Sequence, residues 1–183
     1  MGPEAEAVSG KQGKPVPASV AQSGWRWLPL AAVVIALDQI TKILIQRNFE
    51  YAENLTLLPV LNLTLRYNTG AAFSFLADAS GWQRWFFAGL AFTVVIAIVI
   101  WLRRMDGRSQ PMLACSLSLI LAGALGNVID RLHLGHVVDF IHVHWGDADF
   151  PAFNVADSAI TIGAILMLLD TYLEGRREKR QAA

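Results

Sequence analysis

Cysteine is nearly absent from this 183-residue chain. Cys115 stands alone, which excludes an internal disulfide and leaves no C-x-x-C pair for zinc binding or thiol exchange. Charge is scarce as well: 16% of residues are Asp, Glu, Lys or Arg, against about 25% in soluble domains. A surface built with so little charge is poorly suited to water over a whole domain. No sign predominates, because 15 basic residues balance 15 acidic ones. Without a basic excess there is no electrostatic footprint for nucleic acid. Two long stretches, Trp85 to Leu102 and Met112 to Ile129, hold no charged residue at all.

What fills the chain instead is apolar. Hydrophobic residues make up 54% and the mean hydropathy is +0.41, so much of the surface is expected to face lipid. The two uncharged stretches run about 18 residues each, enough to cross about 27 Å as helix. Trp27 to Gln46 is similar apart from Asp38 and Lys42, and Val155 to Leu173 apart from Asp157 and Asp170. Four membrane spans are therefore expected, at about 27–46, 85–102, 112–129 and 155–173. The first is too long, and too marked by ionisable residues, for a cleaved signal peptide, and it lacks a small-x-small cleavage site. Residues 1–24, rich in Ala, Gly, Pro, Ser and Gln, read as a flexible polar tail. Residues 176–183 read as a basic cytoplasmic tail.

Basic residues orient the spans. Lys11, Lys14, Arg26, Arg103, Arg104, Arg108, Arg176, Arg177, Lys179 and Arg180 fall on one side, and Arg47, Arg66, Arg84 and Arg131 on the other. The richer side is the expected cytoplasmic one and takes both termini. Between the first two spans, Leu61, Leu63, Leu65 and Tyr67 alternate with Asn62, Thr64, Arg66 and Asn68, the period of a half-buried strand. A turn at Asn68-Thr69-Gly70 and a return strand at Ala71 to Phe75 would complete an outer ribbon over about 55–76. A second outer segment, Leu132 to Phe153, has an extended run at Val137 to Val143. The fold class expected is a mainly α membrane protein of four spans, with a small extracytoplasmic β-sheet and a second outer loop.

Ionisable groups inside a span cost several kcal/mol and mark function by default. Asp38 lies about 16 Å along its helix from Trp27 and Lys42 one turn beyond. Asn127, Asp130 and Arg131 close the third span on the same outer side, where Asn154 and Asp157 open the fourth. Asp170 sits about 20 Å deeper than Asp157 and reads as a helix-end residue near the inner arginines. Structural readings compete with functional ones at several positions. Asn154 and Asp157 have the spacing of a helix cap with an acid in the first turn, and Asp38 and Lys42 that of an i, i+4 ion pair. Ala122, Gly123 and Gly126 fit close helix packing. His133, His136, His142 and His144 are candidate metal ligands by residue type, but no third ligand falls at a recognisable spacing. A transporter or proton relay is the rival class, although its polar groups should occur at every depth.

The blocks DQITK (Asp38 to Lys42), YNTGAAFS (Tyr67 to Ser74), GNVIDR (Gly126 to Arg131), GHVVDF (Gly135 to Phe140) and FNVAD (Phe153 to Asp157) occur in this order. Together they resemble the lipoprotein signal peptidase (signal peptidase II) family, over about residues 25–175. The resemblance implies an aspartyl endopeptidase of the bacterial inner membrane, with its active site toward the periplasm and an outer β-cradle. It would cleave diacylglyceryl-modified prolipoproteins before the lipidated cysteine. Asp139 and Asp157 would be the catalytic pair. Asp38, Lys42, Asn68, Gly70, Asn127, Asp130, Arg131 and Asn154 would line or brace the site. Neither metal nor cofactor is expected. The partners expected are prolipoprotein substrates and membrane lipid, with the chain active as a monomer.

Overall fold

Four long helices and one small antiparallel sheet make up the computed structural model, which describes residues 19, 22–70, 81–146 and 148–181. In chain order these are α1 (Leu28–Asn48), β1 (Asn54–Leu58), β2 (Leu61–Asn68), α2 (Trp82–Arg104), α3 (Pro111–His133), β3 (Val137–Trp145), β4 (Ala148–Asp149) and α4 (Val155–Gln181). All four helices are long and apolar enough to cross a membrane. Prolines in the first turns of α1 and α3 use positions where a missing N–H costs nothing.

The third helix is the hub. In its apolar window 61% of residues are buried, against 17–22% in the other three. Small residues permit this closeness: a Cβ on Gly123 would run into the Ala156 carbonyl, and one on Gly126 would lie 2.6 Å from Asp38 Oδ2. Packing through small residues is what lipid, which offers helices no hydrophobic drive to associate, leaves available. The outward faces are apolar and open, as at Leu37 (52% exposed), Trp85 (64%) and Leu168 (68%). Such belts suit acyl chains rather than water.

The sheet runs β1-β2-β3-β4. β1 and β2 form a hairpin across Pro59 and Val60, with Leu58 opposite Leu61. β2 then pairs with β3, placing Arg66 opposite Asp139 and Asn68 opposite Val137. One hairpin turn thus lies before the alternating strand, where Pro59 presets the bend. Asn68 still makes a local turn, its Oδ1 accepting from Gly70 N at 3.0 Å. The expected return strand at Ala71 to Phe75 lies outside the described residues. Gly135, at φ +87°, ends α3 in the left-handed conformation glycine favours and turns the chain straight into β3. Phe153 N donates to Ile141 O at 2.9 Å and Phe153 O accepts from Ile141 N at 2.8 Å, tying the start of α4 to the side of β3.

Three boundaries differ from the sequence reading. Most of the tail assigned to residues 1–24 lies outside the described residues, but Ser23 is fully buried and Gly24 N donates to Met105 O at 3.1 Å. The loop between α2 and α3 therefore holds the last of these residues. The supposed basic tail is helical to Gln181, since nothing from Glu174 to Arg180 interrupts good helix formers except Gly175. Asp170 consequently lies within α4 rather than at its end. Gly123→Val should lower unfolding stability in detergent by about 1–3 kcal/mol, the usual range for overpacking. A melting temperature equal to the wild type's would show that α3 and α4 are not locked through this contact.

Candidate functional site

The site grows from an i, i+4 pair on α1 and an i, i+3 pair on α3. On α1, Asp38 and Lys42 stack one turn apart, and Lys42 Nζ meets Asp38 Oδ2 at 2.8 Å. On α3, Asn127 and Asp130 face the same ammonium, at 3.2 Å for Asn127 Oδ1 and 2.9 Å for Asp130 Oδ2. Three N–H donors therefore find three oxygens. Lys42 is 2% exposed, Asp38 0% and Asp130 3%, so the cluster is dry, and such burial is tolerable only when every charge is paired and hydrogen-bonded.

Each carboxylate partner of Lys42 also reaches a backbone N–H elsewhere. Asp130 Oδ2 accepts from Val138 N at 3.1 Å, and Asp38 Oδ1 from Ala156 N at 2.9 Å. Val138 and Ala156 immediately precede Asp139 and Asp157. One ammonium and two carboxylates thus fix the strand that carries one aspartate and the helix that carries the other.

Asn154 joins the two. Its Nδ2 donates to Asp139 Oδ1 at 2.7 Å, and also reaches Asn127 Oδ1 and Val138 O at 3.2 Å each. Its Oδ1 accepts from Asp157 N at 2.9 Å, while Asp157 Oδ2 accepts from Asn154 N at 3.3 Å. That reciprocal pair is a capping box, so the capping reading of this spacing and membership of the polar cluster hold together. Asn127 Nδ2 donates to Asp157 Oδ1 at 2.7 Å, and Asn68 Nδ2 to Asp139 Oδ2 at 3.2 Å. Arg131 spans Asn127 O at 3.3 Å and Gly70 O at 3.0 Å and stacks over the Phe87 ring at 5.6 Å. It ties the bend after β2 to α3.

All ten residues singled out in the sequence therefore belong to one connected network. Gln39 was missed. Its Nε2 lies 3.2 Å from Asp38 Oδ2, 3.0 Å from Asp130 Oδ1 and 3.3 Å from Gly126 O, bridging the two carboxylates. The signal was present in its position beside Asp38, but an uncharged amide in a span carries no warning of its own. The histidines stand apart: His136 stacks on Tyr67 at 4.3 Å, and His142 lies 3.4 Å from Asp149.

Electrostatically the network holds four carboxylates, Asp38, Asp130, Asp139 and Asp157, against two cations, Lys42 and Arg131. Lys42 is committed to two of the four. Asp139, 3% exposed, is pushed up to about 7, first by burial and then by the charge of Asp157, against the opposing donors Asn68 and Asn154 and the charge of Lys42. A carboxyl that holds its proton to neutral pH beside a second carboxylate supplies an acid and a base together.

A family model described as signal peptidase (SPase) II, Peptidase_A8, matches residues 30–173. The chain belongs to the signal peptidase II family. The lipoprotein signal peptidase of Acinetobacter baumannii is 54% identical over 158 residues, covering 86% of this chain and 89% of that protein. The lipoprotein signal peptidase of Ectopseudomonas mendocina is 49% identical, covering 85% and 93%. A bacterial membrane enzyme solved in meso at 2.3 Å aligns with a TM-score of 0.74 and 35% identity over 82% of this chain and 90% of its own. A second, at 1.9 Å, gives 0.70 and 37% over 79% and 91%. As a signal peptidase II the chain is a multi-pass membrane protein and an aspartic-type peptidase that removes signal peptides from prolipoproteins.

Lys42→Met should destabilise the peptidase by about 3–5 kcal/mol, because it strands two buried carboxylates without a counter-charge. Adding Asp38→Asn and Asp130→Asn should recover part of that loss. Denaturation in detergent checks both, and a Lys42→Met protein of wild-type stability would contradict the pairing.

Proposed function

We propose that Asp139 and Asp157 are the catalytic pair of this signal peptidase, and that they cleave diacylglyceryl-modified prolipoproteins before the lipidated cysteine. The observation that carries this reading is a carboxyl, Asp139, buried and hydrogen-bonded through Asn154 to a second carboxylate at the start of a membrane helix, a setting that pushes its pKa up to about 7. Asp157 takes a proton from water as its oxygen attacks the scissile carbonyl. Protonated Asp139 gives its proton to the carbonyl oxygen, forming a tetrahedral diol. Collapse breaks the C–N bond while a proton passes to the departing nitrogen. The products are a signal peptide with a new carboxyl terminus and a lipoprotein whose modified cysteine has a free amino group.

The remaining network residues serve this pair. Asn68, Asn127 and Asn154 orient the carboxyls, Asp38, Lys42 and Asp130 brace their carriers, and Arg131 with Gly70 sets the bend beside the site. Asp139 and Asp157 lie at one end of the spans, so acyl chains in the bilayer can hold the scissile bond at their depth. That converts partitioning into positioning, and an effectively unimolecular attack follows. The ten-to-four division of basic residues supports an inner-membrane protein with cytoplasmic termini and the carboxylates toward the periplasm. One chain supplies every group in the scheme, which supports activity as a monomer.

Matched precursors with and without the diacylglyceryl group, incubated with the reconstituted enzyme, test this reading. Cleavage of the lipidated form alone is expected, and Asp139→Asn or Asp157→Asn should slow it by about 10³-fold while leaving the folded yield unchanged. Equal rates on both precursors would remove lipid from recognition. A fully active variant at either aspartate would remove the catalytic pair.

A further inference from the structure

At the end of α4 far from Asp157, a second site has the chemistry of a phospholipid headgroup. α4 is 27 residues long, about 40 Å at 1.5 Å per residue, and outlasts a hydrocarbon core of about 30 Å. Arg176 and Arg180 follow Asp157 by 19 and 23 residues, so they lie about 28–35 Å from it along the axis. When Asp157 occupies one boundary, these arginines reach the phosphates of the opposite leaflet.

The helix face is built to match. Ile162, Ile165, Leu169, Leu173, Arg176 and Arg180 recur every three or four residues and form one stripe. Its apolar part is open to the surroundings, with Ile162 51%, Ile165 59% and Leu169 43% exposed. A shallow cavity of about 160 Å³ follows, lined by Leu173, Arg176, Arg177 and Arg180. At 100° per residue, Glu174 and Glu178 fall on the neighbouring face rather than on the stripe. Tyr172, 61% exposed, has the Arg176 guanidinium 5.9 Å from its ring, an aromatic at interface depth with a cation one turn beyond. The order along the stripe is the order along a lipid: an apolar face for an acyl chain, then guanidiniums for a phosphate.

We propose that this stripe binds an anionic phospholipid of the leaflet opposite the catalytic end, with Arg176, Arg177 and Arg180 on its phosphate and Ile165 and Leu169 along an acyl chain. Guanidiniums pair with phosphate in a bidentate way that a zwitterionic headgroup, carrying its own ammonium, partly cancels. The bound lipid fixes the depth of α4, and so the depth of Asp157 at its other end.

Native mass spectrometry of the full chain, released from bilayers of equal phosphatidylglycerol and phosphatidylcholine with identical acyl chains, tests the site. The wild type should retain phosphatidylglycerol over phosphatidylcholine by about fivefold or more, roughly 1 kcal/mol. Arg176→Gln/Arg177→Gln/Arg180→Gln should abolish the preference, and the corresponding triple Lys variant should keep most of it. Millimolar glycerol 3-phosphate should not displace the lipid, because a soluble headgroup has no acyl chain for the stripe. Melting of each variant in phosphatidylcholine confirms that it is folded. Equal retention of both lipids by the wild type, an undiminished preference in the folded Gln variant, or displacement by glycerol 3-phosphate would each overturn the proposal.

Discussion

Lys42 Nζ sits between Asp38 and Asp130 with almost no access to solvent, and the outer end of the molecule is organised around it. Removing three charges from water costs several kcal/mol per ion, so the arrangement persists only with every donor and acceptor used. The three N–H groups of Lys42 have three oxygens; of the two carboxylate oxygens it leaves over, Asp130 Oδ1 is taken by Gln39 and Asp38 Oδ1 by a backbone N–H, and a second backbone N–H shares Asp130 Oδ2 with Lys42. Those N–H groups belong to Val138 and Ala156. The electrostatic need to satisfy a buried triad thereby becomes a geometric constraint on the residues that follow, Asp139 and Asp157. A β-strand from the segment between α3 and α4 and the helix that ends the chain are held in register by the same ion.

Close packing and polar satisfaction support each other here. Gly126 leaves room for Asp38 Oδ2, and Gly123 lets the start of α4 approach α3. Side chains at these positions would push Ala156, and Asp157 with it, away from α3. Asn154 then works at three levels: it caps α4, donates to Asp139 and bonds Asn127. A single amide replaces what would otherwise be buried, unsatisfied groups at a helix end. The proton-holding tendency of Asp139 follows from this enclosure, since burial is its largest cause.

Long-range features were legible in the sequence where physics writes them in long runs. Four spans follow from four apolar stretches, and Asp38, Lys42, Asn127, Asp130, Arg131, Asn154 and Asp157 stood out because polar groups in or at the ends of spans are costly, whereas Asn68, Gly70 and Asp139, outside the spans, came only from the family resemblance. β2 was legible from Leu61 to Tyr67 because alternation has a period. β1 was not, since Asn54 to Leu58 forms a strand by pairing with β2 rather than by its own pattern, and the turn at Pro59 was overlooked in favour of Asn68 to Gly70. Gln39 escaped for a similar reason: its value lies in the two carboxylates it bridges, which are 91 residues apart in the case of Asp130. The clamp on Val138 and Ala156 is made by backbone groups, whose partners no residue type announces.

The account turns on a carboxyl that keeps its proton because it is buried and because a second carboxylate is held beside it. Carbon-13 NMR of labelled aspartate, with Asp139→Asn used to assign its signal, reads this directly. Asp139 should titrate near 7 in the wild type and at a lower pH in Asp157→Asn, where the like charge is gone but the burial remains. An Asp139 that titrates near 4, or one whose midpoint ignores the loss of Asp157, would contradict it.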